Sequence, residues 1–137
     1  MDSHILTNIA QLLLSTALGA TLGYERQKHG RVAGMRTFGI VSLAATLAMI
    51  ISQSFYTGDP GRIAAQVISG MGFLGAGIII YNDDKISGLT TAACVWATAI
   101  IGLAVGANLY WESVMSTVVV FIILHFMKKG KDAHHDE

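Results

Sequence analysis

The chain has 137 residues, 53% hydrophobic and 13% charged, with nine Lys/Arg against nine Asp/Glu and no net charge; its mean hydropathy is +0.55. A soluble domain carries about 25% charged residues, so a single domain this apolar could not cover a water-facing surface and is expected to lie in lipid. The charge balance argues against a nucleic-acid partner, which needs a basic patch, and a single cysteine, Cys94, excludes an intrachain disulfide.

Five apolar runs follow in chain order: 5–24, 37–55, 63–81, 89–107 and 109–127. Each approaches the ~20 residues a helix needs to cross the hydrocarbon core. A helix satisfies its own backbone in lipid, and the runs lack the alternation of a membrane strand. The expected fold is an all-α polytopic bundle over 1–127, with a polar tail at 128–137. The first run has Asp2 and His4 in place of a basic leader and continues to Arg26, so it reads as a retained helix. The third opens on Asp59 and Pro60, a helix N-cap and first-turn pair. Its glycines leave open a re-entrant bend in place of a straight span. Tyr24, Tyr56, Tyr81, Tyr110 and Trp111 fall near run ends, as an interfacial aromatic belt does.

The basic residues divide unevenly among the connections. Arg26, Lys28, Arg31, Arg36, Lys85 and the three tail lysines fall on one side of a five-span topology, leaving only Arg62 on the other. The positive-inside rule then predicts a cytoplasmic C-terminus and an external N-terminus.

Gly70, Gly72 and Gly75 spell G-x-G-x-x-G. A dinucleotide loop needs a preceding strand, a helix opening at the glycines and an acid about 20 residues later. These glycines sit inside an apolar run, and no carboxylate occurs between Asp84 and Glu112. Close helix packing is the better reading. Ala65, Ser69, Gly72 and Ala76 share one face, with Gly70, Gly75 and Gly77 beside it. Ser15, Gly19 and Gly23 form a second row; Thr90, Cys94, Thr98, Gly102 and Gly106 form a third. Three such rows predict a tightly packed bundle, and a homodimer joined through one of them.

No catalytic constellation is present. Ionisable residues near the hydrocarbon are the remaining candidates. Asp59, Arg62 and Gln66 form a stripe entering the third run: a cap, a snorkelling arginine and a packed amide, or the mouth of a polar pathway. Glu25 stands among cationic groups and is expected to be ion-paired. Arg26, Lys28 and Arg31 are expected to anchor the cytoplasmic side. Asp83 and Asp84 could hold Mg²⁺ weakly, which typically needs one or two carboxylates and retained waters; otherwise no cofactor is expected.

The stretches GYERQKHGRVAGMRT (23–37), DPGRIAAQVISGMGFLGAGIII (59–80) and GLTTAACVWATAIIG (88–102) resemble the MgtC/SapB family in order and spacing. Met35 stands where the family more often has Leu. The resemblance implies a multi-pass bacterial cytoplasmic-membrane protein, linked to growth when Mg²⁺ is scarce and, in pathogens, to survival in host cells. Some members carry a soluble C-terminal domain; this chain stops soon after the fifth run. Motif matching carries over Glu25, Arg26, Arg36, Thr37, Asp59, Arg62, Gln66, Thr90 and Thr91 as functional polar positions, without their roles. Two functions stay open. One is a regulatory module acting on itself or on another membrane protein, such as the proton-driven ATP synthase. The other is a small oligomeric transporter or channel for Mg²⁺, another ion or protons.

Overall fold

The structure, a computed structural model, describes residues 3–55, 58–82 and 85–127. Five helices account for most of them: α1 (Ser3–Lys28), α2 (Met35–Ser54), α3 (Gly61–Ile78), α4 (Leu89–Gly106) and α5 (Tyr110–Phe126). α1, α2 and α4 are long and apolar enough to cross a membrane; α5, with 17 residues, is a shorter apolar helix. α3 has 18 residues, and Arg62 and Gln66 lower its hydropathy.

The third run departs from expectation at its end. α3 stops at Ile78, Ile79 is extended, and β1 (Ile80–Asn82) pairs antiparallel with β2 (Lys85–Ser87), Tyr81 opposite Ile86. β-branched and aromatic residues favour strand, but in a continuous apolar run that switch is invisible to hydropathy. α3 itself runs unbroken through Gly70, Gly72 and Gly75.

The α1–α2 loop and the hairpin share one end of the bundle, called here the basic end. The α2–α3 and α4–α5 connections make the far end. α1 closes with a Schellman turn: Gly30 stands at φ +65, the Arg31 N–H donates to Arg26 O at 3.1 Å, and the Gly30 N–H donates to Gln27 O at 3.0 Å. Glycine suits that left-handed position.

α4 is the central element, touching all four other helices. Lipid is as apolar as a leucine side chain, so burial alone does not hold such a bundle; close contact and interhelical hydrogen bonds do. Ser42 of α2 is the junction. A Cβ at Gly19 of α1 would lie 2.8 Å from Ser42 Cβ and 2.6 Å from Phe38 O. A Cβ at Gly102 of α4 would press on Ser42 O from the other side and come within 3.0 Å of Ala45 Cβ. Gly23 meets the Gly34 and Met35 backbone, and Gly106 meets Thr46 and Met49, in the same manner.

Hydroxyls inside the bundle turn to backbone carbonyls, except that of Ser42, which is buried without a hydrogen-bond partner among the described residues. Thr98 donates to Cys94 O at 2.7 Å, Ser113 to Leu109 O at 2.6 Å and Thr117 to Ser113 O at 2.8 Å. At the far end the buried Gln11 amide donates to Val105 O and to Asn108 Oδ1, each at 3.0 Å. Gln11 continues the Ser15–Gly19–Gly23 row by one turn.

Candidate functional site

The candidate positions fall into two groups. At the basic end, the last turns of α1 carry Glu25 and Arg26, only 3% and 4% exposed. Arg26 therefore does not serve as the solvated loop anchor expected of it.

Glu25 has the ionisable partner expected of it, a histidine, charged only when protonated. Its neighbour is His29, whose Nδ1 lies 3.0 Å from Glu25 Oε1. The well-formed hydrogen bond from that nitrogen goes instead to the Glu25 backbone oxygen, at 2.8 Å. Glu25 Oε1 and Arg26 Nε are both buried without a hydrogen-bond partner among the described residues, and the His29–Glu25 contact is the only ion pair there. A buried charge left unpaired is costly.

Cys94 is buried on α4. Thr91, 2% exposed, lines a cavity of about 110 Å³ with Arg31, Ser87 and Gly88. Thr90, Arg36 and Thr37 are exposed, unlike Glu25 and Arg26. Thr37 borders a shallow apolar groove of about 450 Å³ with Phe73, Gly77 and Val95.

The second group lies on α3. Asp59 Oδ1 accepts from the Gly61 N–H at 3.0 Å, but α3 begins at Gly61 with Pro60 as its N-cap, so Asp59 stands one residue outside the cap position expected of it. Ser52 donates to Pro60 O at 2.9 Å and joins the end of α2 to the start of α3. A cleft of about 180 Å³ opens there, lined by Ser52, Phe55, Asp59, Arg62 and Ile63.

Met71 is the buried centre of α3, and the opposite face carries Arg62, Gln66, Ser69 and Phe73, all exposed. Their i, i+4, i+7, i+11 spacing is one helix row. Arg62 and Gln66 thus point away from the chain's own core. The glycines expected to pack on α3 differ from those of α1 and α4: a Cβ at Gly70, Gly72 or Gly77 meets nothing within 4 Å, and one at Gly75 only grazes Ala92 Cβ at 3.9 Å. Ser69 is open too.

Asp83 and Asp84, the candidate Mg²⁺ ligands, lie outside the described residues. Among the described residues no group of three or more His, Cys, Asp or Glu is placed to hold a metal ion. Gln11, Ser42 and Thr46 were not singled out from sequence. The signal for Gln11 was its place in the four-residue row; Ser42 and Thr46 carried none.

A helical bundle with three helices long and apolar enough to cross a membrane, glycine-tight seams and buried charge at one end is that of a membrane protein. The sequence profile of the MgtC family matches residues 12–133, and the chain belongs to that family. It is 38% identical over 125 residues to YhiD of Escherichia coli K12, whose name makes it a candidate magnesium transporter, covering 85% of this chain and 58% of YhiD. It is 40% identical over 112 residues to protein MgtC of Salmonella typhimurium LT2, covering 82% of this chain and 48% of MgtC. An uncharacterised Haemophilus influenzae protein is 40% identical over 125 residues, with 82% and 52% covered. The chain spans about half the length of the curated relatives it matches. No solved structure matches it.

Proposed function

We propose that the chain is a regulatory module of the bacterial cytoplasmic membrane, acting in adaptation to scarce magnesium and, in pathogens, in survival inside host cells. It docks against a second copy or another membrane protein, such as the ATP synthase, and does not itself carry the ion. The link to magnesium is drawn from the name of YhiD and from the family resemblance. In this reading the C-terminus is cytoplasmic and the N-terminus external.

The observation that carries the reading is the seam at Ser42, where α1, α2 and α4 meet backbone to backbone. A magnesium path needs oxygen ligands and retained water, and transporters usually place the site at midplane beside broken helices. Here the Thr46 and Thr98 hydroxyls are committed to backbone carbonyls, and the buried Glu25 is followed by Arg26, whose charge opposes a divalent cation.

The test pairs two measurements on the full chain. Purified protein in liposomes loaded with a Mg²⁺-sensitive dye is expected to pass no magnesium. The same chain is expected to restore growth of its deletion strain at low Mg²⁺. Flux that stops with Arg62→Ala would replace this reading with the competing one, a small oligomeric transporter or channel. The Ser52–Asp59–Arg62 cleft favours that alternative.

A further inference from the structure

We propose that α3 is the contact helix between two copies of this chain, set side by side in the same orientation with their Arg62–Gln66–Ser69–Phe73 rows facing. The inference deepens the docking reading by naming the partner and the face.

The contrast among the glycines motivates it. Glycine weakens a helix interior. Gly19, Gly23, Gly102 and Gly106 each offset that by admitting a neighbouring backbone. Gly70, Gly72 and Gly77 have no such neighbour within the chain.

A second, independent observation is polar. Gln66 stands one turn inside the start of α3 and faces outward with Arg62 and Ser69. Acyl chains offer no hydrogen-bond partner to an amide or a hydroxyl. An exposed row of guanidinium, amide and hydroxyl is matched by a surface that both donates and accepts.

The row is complementary to itself, which selects a second copy. A carboxamide carries both donors and acceptor, so Gln66 can pair with Gln66 of the second copy. Within one chain no ion pair joins Asp59 to Arg62. A two-fold axis places the same patch on both sides of an interface, so each Arg62 gains the other copy's Asp59 and two reciprocal pairs form at one end. The small residues flanking the row let the helices come close enough for these contacts.

The test is disulfide cross-linking of the full chain in its native membrane, in a Cys94→Ala background. Ser69→Cys and Gln66→Cys are expected to shift most of the chain to twice its 14.6 kDa mass. Val119→Cys on the exposed face of α5 and Ile40→Cys on that of α2 are expected to give only traces. Gly72→Leu, which fits inside the single chain, is expected to abolish the Ser69→Cys link. The proposal is overturned if the α3 cysteines stay monomeric, if they link to a different protein, or if Gly72→Leu leaves the link intact. Low-magnesium growth of the same strains separates the two readings: growth retained without cross-links removes the α3 interface alone, and magnesium flux in liposomes removes the regulatory function alone.

Discussion

The Thr46 hydroxyl of α2 donates to the Gly102 carbonyl oxygen of α4 at 2.7 Å, beside the point where Gly102 admits the Ser42 backbone. A side-chain hydrogen bond and a close backbone approach reinforce each other there. The same hydroxyl lies 3.0 Å from Ser42 O, so its proton has an acceptor on its own helix as well.

Thr46→Val keeps the shape and removes the interhelical bond. Interhelical hydrogen bonds in membranes contribute about 0.6–2 kcal/mol. The unfolding midpoint in mixed micelles should fall by that amount. An unchanged midpoint would mean that the glycine contact alone holds the α2–α4 seam.

Glycines of one chemical type should respond oppositely to alanine. At Gly23 the added Cβ would lie 2.7 Å from Gly34 O and from Met35 Cα, and backbone cannot move aside as a side chain can. Overpacking of this kind costs about 1–3 kcal/mol, occasionally more. At Gly72 nothing stands within 4 Å, and the gain in helix propensity is about 1 kcal/mol. In detergent-dispersed monomer, Gly23→Ala should melt earlier and Gly72→Ala should melt no earlier than the parent. Equal losses at both sites would contradict the assignment of the two faces.

Arg26 separates stability from function. Replacing a buried charged group by an apolar one of similar volume is often neutral or stabilising, whereas breaking a real buried pair costs about 3–5 kcal/mol. With no acidic partner among the described residues, Arg26→Met should fold at least as well as the parent and fail to restore growth at low magnesium. A strongly destabilised Arg26→Met would reveal a carboxylate partner for the guanidinium.

At the far end, Gln11→Leu leaves Asn108 Oδ1 with only its contact to the Tyr110 hydroxyl, at 2.9 Å. Loss of the bonds to Val105 O and Asn108 should cost about 1–2 kcal/mol. Asn108 has φ +65, a conformation glycine adopts readily and alanine does not. Asn108→Gly should therefore be milder than Asn108→Ala, as thermal denaturation of the two variants would register.

Much of the architecture follows from local properties. The number of helices, their order and the approximate ends of α1, α2, α4 and α5 follow from apolar run length, because lipid demands a fixed span of self-satisfied backbone. The turn at Gly30 and the Asp59–Gly61 contact at the start of α3 are short-range chemistry. The motifs at 23–37, 59–80 and 88–102 carried the family for the same reason. Only tertiary structure decided which way side chains face. Ser15, Gly19 and Gly23 look in sequence much like Ser69, Gly72 and Ala76, yet the first row is enclosed by α2 and the second lies open. Arg26, read as a solvated anchor, is buried, and Gln66 turns outward because Met71 on the opposite face meets the core. Hydropathy measures how much a segment avoids water. It does not record which neighbour each face meets, since that depends on contacts between residues far apart in the chain.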